Sequence, residues 1–554
     1  MATKPAVHGA SPRATDSSRS RYSRYLLFAA GIFAICAAFF LLQFSTTGLC
    51  CGDFDGYYHI QWSHLLWEGL RSGHFPPAFT WLPLTTLNAH QYADQHFLFH
   101  LLLIPFTWMG DLPLAAKTAT AVFGSLAVFS LYWLILRYKI RNPLLWLLAL
   151  LGCSWVFYVR LNMPKAQSLS LLFMVIGIVL LLERKYLWLL PTAFLYVWAY
   201  NLFVLLAVLA FLWVVVLGWT ERRLEWRPLL WTGLGIVAGF VISPYFPKDA
   251  GLFLQHLLAK SGGALPDTGS EWNAFTTWNF LKASFLACAA MIAGYIGFGY
   301  VLSQTRADRG RAQRPLLFLL FSSMLLLMAM RSVRFLEYWP PFAVLFAAFT
   351  LQAVEQNRSE ARAKSSGDEG EWQEAPVPEP SERAPRNLKG SWLFELAPVA
   401  VLLVAICWHN FQLGRAAMSE YTTDPERYAA GAAWLRSHVP PGALIYDLNY
   451  SDFPKLFFYD TAHTYVSGLD PLYLQNKHPE LAELNRRLSN REEPAPASAI
   501  RSDFAMAGAP GLTYLFVGSL PAPPSQAWLD YMRQSGGFDV VYEDSECMIF
   551  RIRN

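Results

Sequence analysis

Two aspartates, Asp53 and Asp55, stand two residues apart in the stretch CGDFDGYYHI, residues 51–60, directly after an apolar run. Carboxylates at a water-poor boundary are costly to keep, and they suit general-base chemistry on a nucleophile; the bland alternative is a pair of solvated acids where a helix ends. On a helix, side chains at i and i+2 diverge, so the pair shares a face only on extended backbone, and a loop is expected. Tyr57, Tyr58 and His59 follow at once as candidate substrate contacts. Asp94, His96 and His100 end the same loop; the two histidines, four apart, either hold a metal on one helix face or pack as a polar helix start. A second acid, Glu271, lies in the Gly/Ser-rich stretch LPDTGSEWNAF, and MRSVRFLEYWPP sets Arg331 and Arg334 beside Glu337 and Tyr338. A guanidinium there either snorkels to lipid headgroups or binds a phosphate with its planar fork of donors.

The elements that must position these groups are membrane helices. The 554 residues are 54% hydrophobic and 15% charged, with 21 Trp and 40 Phe, which excludes an ordinary soluble domain. The net charge of +4 carries no nucleic-acid signal, and no nucleic acid is expected as a partner. Of seven cysteines none has zinc-ligand or disulfide spacing, and the neighbours Cys50 and Cys51 read as packing. A bilayer core of about 30 Å asks for roughly 20 apolar residues per helix. About eleven such spans are expected, at 25–44, 112–136, 143–158, 168–182, 186–200, 201–219, 228–245, 280–302, 315–330, 338–354 and 392–411. The basic clusters RYKIR, ERK, ERRLEWR and RADRGRAQR all then fall on the side of the basic N-terminus (1–24), which makes that side cytoplasmic. Counting 96–109 as a full crossing would break this pattern, so it is expected as a half-buried helix within a first external loop at 45–111. A second external loop, 246–279, carries Glu271.

Two stretches stand apart from the span-bearing body at 25–355. Residues 356–391 are charged and Pro-rich, and are expected as a disordered cytoplasmic linker before the last span, 392–411. Residues 412–554 alternate strand-like segments (ALIYDLNY, TYLFVG, FDVVYED, CMIFRI) with helix-like ones, which points to an extracytoplasmic α/β domain. Outward acids, an outward arginine, a surface loop and an external domain suit chemistry on a lipid-borne phosphate.

On these residues the chain resembles the GT-C membrane glycosyltransferases, the group of oligosaccharyltransferase catalytic subunits, protein O-mannosyltransferases and aminoarabinose transferases. FDGYY at 54–58 is similar to the motif around the family's essential acid, which singles out Asp55. Arg334, Phe335, Tyr338 and Pro341 reproduce R-F-x-x-Y-x-x-P, in which the arginine contacts the lipid-linked phosphate, and TGSEW is similar to a loop element with Glu271 as its acid. Where the family has a second acidic motif, this chain reads YVRLNMPKAQS, with the cations Arg160 and Lys165; the external-domain motif is reduced to Asp452 with an aromatic neighbour. The resemblance implies a bundle with a periplasmic or extracellular C-terminal domain in a bacterial inner membrane, and an inverting transfer from a polyprenyl-phosphate-linked sugar donor to a glycan, lipid or protein acceptor. Asp55 would be the base, with Asp53 and Glu271 as further catalytic acids. Arg334, Arg331, Tyr338, Arg160, Lys165 and Asp452 would bind substrate, and a divalent cation (Mg2+ or Mn2+) would sit on Asp55, Asp94 and His96. Block transfer of a glycan from a lipid pyrophosphate to protein is the alternative reaction, and a lipid-linked sugar transporter the alternative class.

Overall fold

In a computed structural model of the chain, which describes residues 14–49, 54–261, 270–304, 309–367, 391–519 and 523–553, the apolar runs form helices. Asp53, Cys50 and Cys51 lie outside the described residues. Among the described residues six helices are long and apolar enough to cross a membrane: Tyr25–Gln43, Leu112–Arg137, Asn201–Glu221, Phe285–Gln304, Arg309–Arg331 and Leu396–Glu420. The expected span at 143–158 is broken into Pro143–Leu151 and Trp155–Leu161, which meet at 78°. Gln167–Leu182, Tyr186–Ala199 and Arg227–Val241 are apolar but shorter, and the apolar start of Trp339–Gly367 is buried among its neighbours. Length and composition therefore establish an integral membrane protein, and leave eleven crossings unconfirmed. Phe97–Thr107, at about 1.5 Å per residue, is too short to span a bilayer core as a straight helix.

Two corrections follow from local physics. Asp55 is not in an extended loop: it opens the helix Asp55–Ser72, where a carboxylate in the first turn meets the positive end of the helix dipole. Tyr58, Trp62 and Leu66, spaced four apart, give this helix a buried stripe, and Gly73 ends it at φ 78°, a conformation that glycine adopts without strain. Residues 356–367, expected as linker, continue the preceding helix, where Glu360 pairs with Arg311 at 2.8 Å; 368–390 lie outside the described residues.

The helix Ser391–Tyr421 leads into the C-terminal α/β unit. Its sheet comprises β1 (Leu444–Asp447), β2 (Thr464–Tyr465), β3 (Tyr514–Gly518), β4 (Phe538–Glu543) and β5 (Cys547–Ile552), in the order β2-β1-β3-β5-β4. β1 runs parallel to β2 and β3, and β5 antiparallel to β3 and β4. The unit is docked on the first long loop: Tyr465 N–H donates to the Trp81 carbonyl at 2.8 Å, Trp81 Nε1 to the Thr461 carbonyl at 2.8 Å, and Thr86 N–H to the Tyr473 carbonyl at 3.0 Å. Phe453 and Phe457 share one apolar core with Tyr58, Trp62 and Phe79, so loop and domain bury a common face. Lys455 sits over the Tyr57 ring at 4.6 Å and ties the domain to the turn that carries Asp55.

Candidate active site

The break in the 143–161 helix pair sends the short helix Trp155–Leu161 off at a steep angle, with Arg160 in its last turn. Its freed carbonyls are met locally: Asn162 Nδ2 donates to the Tyr158 carbonyl at 2.9 Å and Gln167 Nε2 to that of Arg160 at 2.5 Å. The loop then brings Pro164 against Gly56, where any Cβ would collide with the proline ring, and sets Lys165 Nζ 3.1 Å from Asp55 Oδ2. Asp55 and Lys165 are thus set opposite each other by the close packing of the Pro164 ring on Gly56.

The second half of the site comes from the turn Val333–Glu337. Ser332 receives the Arg334 N–H at 3.3 Å and donates its own proton to the Glu271 carbonyl at 2.9 Å, while Val333 N–H reaches the Asn273 carbonyl at 3.0 Å. Segment 270–273 is thereby clipped onto the arginine turn. Glu271 bridges two guanidinium groups, taking Arg160 Nη1 on Oε2 and Arg334 Nη1 on Oε1, both at 2.9 Å. Arg160 also donates from Nε and Nη2 to Glu337 Oε2 at 3.1 and 2.8 Å. Arg334 Nη2 donates to the Tyr200 hydroxyl at 2.6 Å, and its guanidinium lies 4.9 Å over the Trp272 ring.

Three cations, Arg160, Lys165 and Arg334, therefore face three carboxylates, Asp55, Glu271 and Glu337. Burial would raise the Glu271 pKa, but Arg334, Lys165 and Arg160 outweigh it and hold the group well below the usual carboxylate range. It is a fixed anion and no base. Asp55 behaves in the opposite way: burial first, then the negative charges of Glu271 and of Asp470 from the C-terminal domain, push it up to about 7, against the pull of Arg334. The Lys165 ammonium beside it favours the ionised form. A carboxyl that changes protonation near neutrality, with arginines within its field, can take a proton while a leaving anion is stabilised.

Of the residues singled out in the sequence, the structure brings together Asp55, Glu271, Arg334, Arg160 and Lys165. Arg331 is exposed at a helix end and takes no part. Tyr338 is buried in the bundle and donates to Ser170 Oγ at 2.8 Å, because its place in a tight turn points it into the helices. Tyr57 lies beneath Lys455 and against Phe458; Tyr58 is buried and bonded to the Tyr92 hydroxyl at 3.0 Å. Asp452 is buried inside the α/β unit, where it accepts the Tyr428 hydroxyl proton at 2.6 Å. The proposed cation set does not fit. Asp55 is paired with an ammonium, both oxygens of Asp94 accept hydrogen bonds, and among the described residues no three His, Cys, Asp or Glu side chains gather to hold a metal. Tyr200, Trp272 and Asp470 carried no signal in the sequence, and Glu337, an acid inside an apolar run beside Arg334, was given no role there.

No protein-family model and no curated relative matches the chain. Among solved structures it matches the crystal structure of ArnT from Cupriavidus metallidurans in the apo state, with a TM-score of 0.50 and 15% identity over 96% of this chain and 98% of that one. It also matches the same protein bound to undecaprenyl phosphate, with a TM-score of 0.50 and 15% identity over 95% and 97% of the two chains. The chain has the ArnT fold. The likeness extends over both the helical bundle and the α/β unit. The cluster described above sits at the junction between bundle and α/β unit, built from the first turn of the helix Asp55–Ser72, the helix Trp155–Leu161 and the loop after it, the 270–273 turn and the 333–337 turn.

Proposed function

We propose that the chain is an integral membrane glycosyltransferase that moves a sugar from a polyprenyl-phosphate-linked donor to a hydroxyl acceptor on the extracytoplasmic face of the membrane, with inversion at the sugar carbon. One observation carries this reading: an aspartate poised near neutrality and two converging arginines share one polar cluster. The ArnT neighbour bound to undecaprenyl phosphate supports the same class of donor. The basic loops, all on the side of the N-terminus, support an outward-facing cluster.

In this mechanism Asp55 takes the acceptor proton as the acceptor oxygen bonds to the anomeric carbon. The bond from that carbon to the phosphate oxygen breaks, and polyprenyl phosphate departs with the electron pair. Arg334 and Arg160 meet its negative charge with fixed donors. Because the described cations are already balanced by carboxylates, a phosphate can enter only by replacing one of them. Glu337 is fully buried, whereas the Glu271 side chain is 25% exposed and already spans both arginines, so the phosphate takes its seat.

Glu271→Gln accordingly tightens polyprenyl phosphate binding by about tenfold, the worth of one charged hydrogen bond, as read by Trp272 fluorescence in detergent. Weaker binding in that variant would mean that Glu271 helps to hold the donor. The reading as a whole is tested by disrupting the gene in its host and comparing surface glycans and lipid-linked sugars by mass spectrometry. A lipid-linked sugar accumulates while one glycan loses a residue; unchanged profiles refute the proposal.

A further inference from the structure

One polar network beside the cluster is unused by this mechanism. His59 stands one helical turn after Asp55 on the helix Asp55–Ser72, so the two side chains share a face. Its Nδ1 lies 2.7 Å from His100 Nε2, and His100 Nδ1 lies 2.7 Å from Asp94 Oδ2. The Asp94 and His100 side chains are 1% and 0% exposed. Asp94 also accepts from Trp62 Nε1 at 3.0 Å and from the His96 backbone N–H at 2.9 Å, which holds it as an acceptor-only carboxylate.

An acceptor at one end of the chain sets every proton along it. His100 carries its proton on Nδ1, facing Asp94, and presents a bare Nε2. His59 then carries its proton on Nδ1, and its own Nε2 keeps a lone pair; among the described residues that nitrogen has no hydrogen-bond partner. Burial, with His100 and His96 nearby, keeps His59 neutral at rest by holding its pKa well below the usual value.

We infer that Asp94, His100 and His59 form a proton relay that empties the general base. As the proton that Asp55 takes from the acceptor passes to His59 Nε2, the Nδ1 proton of His59 moves to His100 Nε2 in the same step, so that His59 stays neutral and the imidazolium forms on His100, against the Asp94 carboxylate. Asp55 regains its charge while product still excludes water, and the proton returns to solvent along the same path once product leaves. His59 is the end of the relay that meets the reacting groups, and His100 and Asp94 are positioning residues. The inference rests on Asp55 being the base.

His100→Gln separates this role from a structural one, because a glutamine amide can bond to both neighbours but cannot carry the proton. Its kcat falls about 10²-fold, the usual size of one proton-transfer contribution, the donor KM stays within about twofold, and added imidazole restores the rate. A kcat near that of the unaltered enzyme, or a loss that imidazole does not lift, overturns the relay. Nitrogen NMR of histidine-labelled protein reads the same proposal without any transfer assay. A His59 ring with hydrogen on Nδ1 and none on Nε2 supports it, and the reverse tautomer overturns it. Should the unaltered protein transfer no sugar, the glycosyltransferase reading fails, while the tautomer still decides whether the network is ordered as described.

Discussion

Asp55→Asn lowers sugar transfer by about 10² to 10⁴-fold, the range for a lost general base, and leaves polyprenyl phosphate binding nearly unchanged. The substitution keeps the shape of the side chain at the first turn of its helix, so the packing of the Pro164 ring on Gly56 that sets Lys165 opposite position 55 survives. What is lost is an oxygen that can hold the proton. Because the carboxyl is pushed up to about 7, kcat/KM of the unaltered enzyme rises with pH through about 7 and then levels, since only the ionised form is a base. The residual rate of the Asn variant lacks that step. A pH profile and a donor titration on the two proteins check both statements, and an Asn variant with full activity would remove Asp55 from the chemistry.

Arg334→Lys keeps one positive charge and still weakens donor binding by about tenfold, with a further loss in rate of the order of 10² when the leaving phosphate must be stabilised. The reason is geometric. The guanidinium serves Glu271 from Nη1 and the Tyr200 hydroxyl from Nη2 while its face lies on Trp272, and its Nε is buried without a hydrogen bond among the described residues. A lysine ammonium reaches one of these partners at a time and cannot stack. Equilibrium binding of undecaprenyl phosphate by the two proteins measures the first effect and single-turnover transfer the second. Arg331→Lys is the control, since that side chain is exposed at a helix end, and it changes neither. Equal donor affinity in the Arg334 variant would refute the phosphate role.

Much of this could be read from the chain by inspection. Asp55 stood out because an acid follows an apolar run, and Arg334 because a short motif surrounds it. The expected strands around 444–447, 514–518 and 538–552 all formed, since alternation of apolar residues is a local signal. β2, two residues long, carried too little pattern to be seen. Asp55 lies on a helix and not in the expected loop because the buried stripe of Tyr58, Trp62 and Leu66 repeats every four residues and extends the helix back to the acid. Tyr338 and Asp452 matched or neighboured motif positions yet face into cores, because a motif specifies residue types and leaves the direction of each side chain to its packing.

Composition and apolar period, which depend only on neighbours along the chain, determined a membrane bundle with a C-terminal α/β unit and marked an acid and an arginine at one edge. The partners of those charges were settled by folding alone. Arg160 meets Glu337 across 177 positions and Glu271 across 111, and Arg334 meets Glu271 across 63. Pairings at such separations leave no periodic trace, because they exist only once a helix breaks after residue 151, a turn closes at 333–337 and the two ends are pressed into the same low-dielectric space.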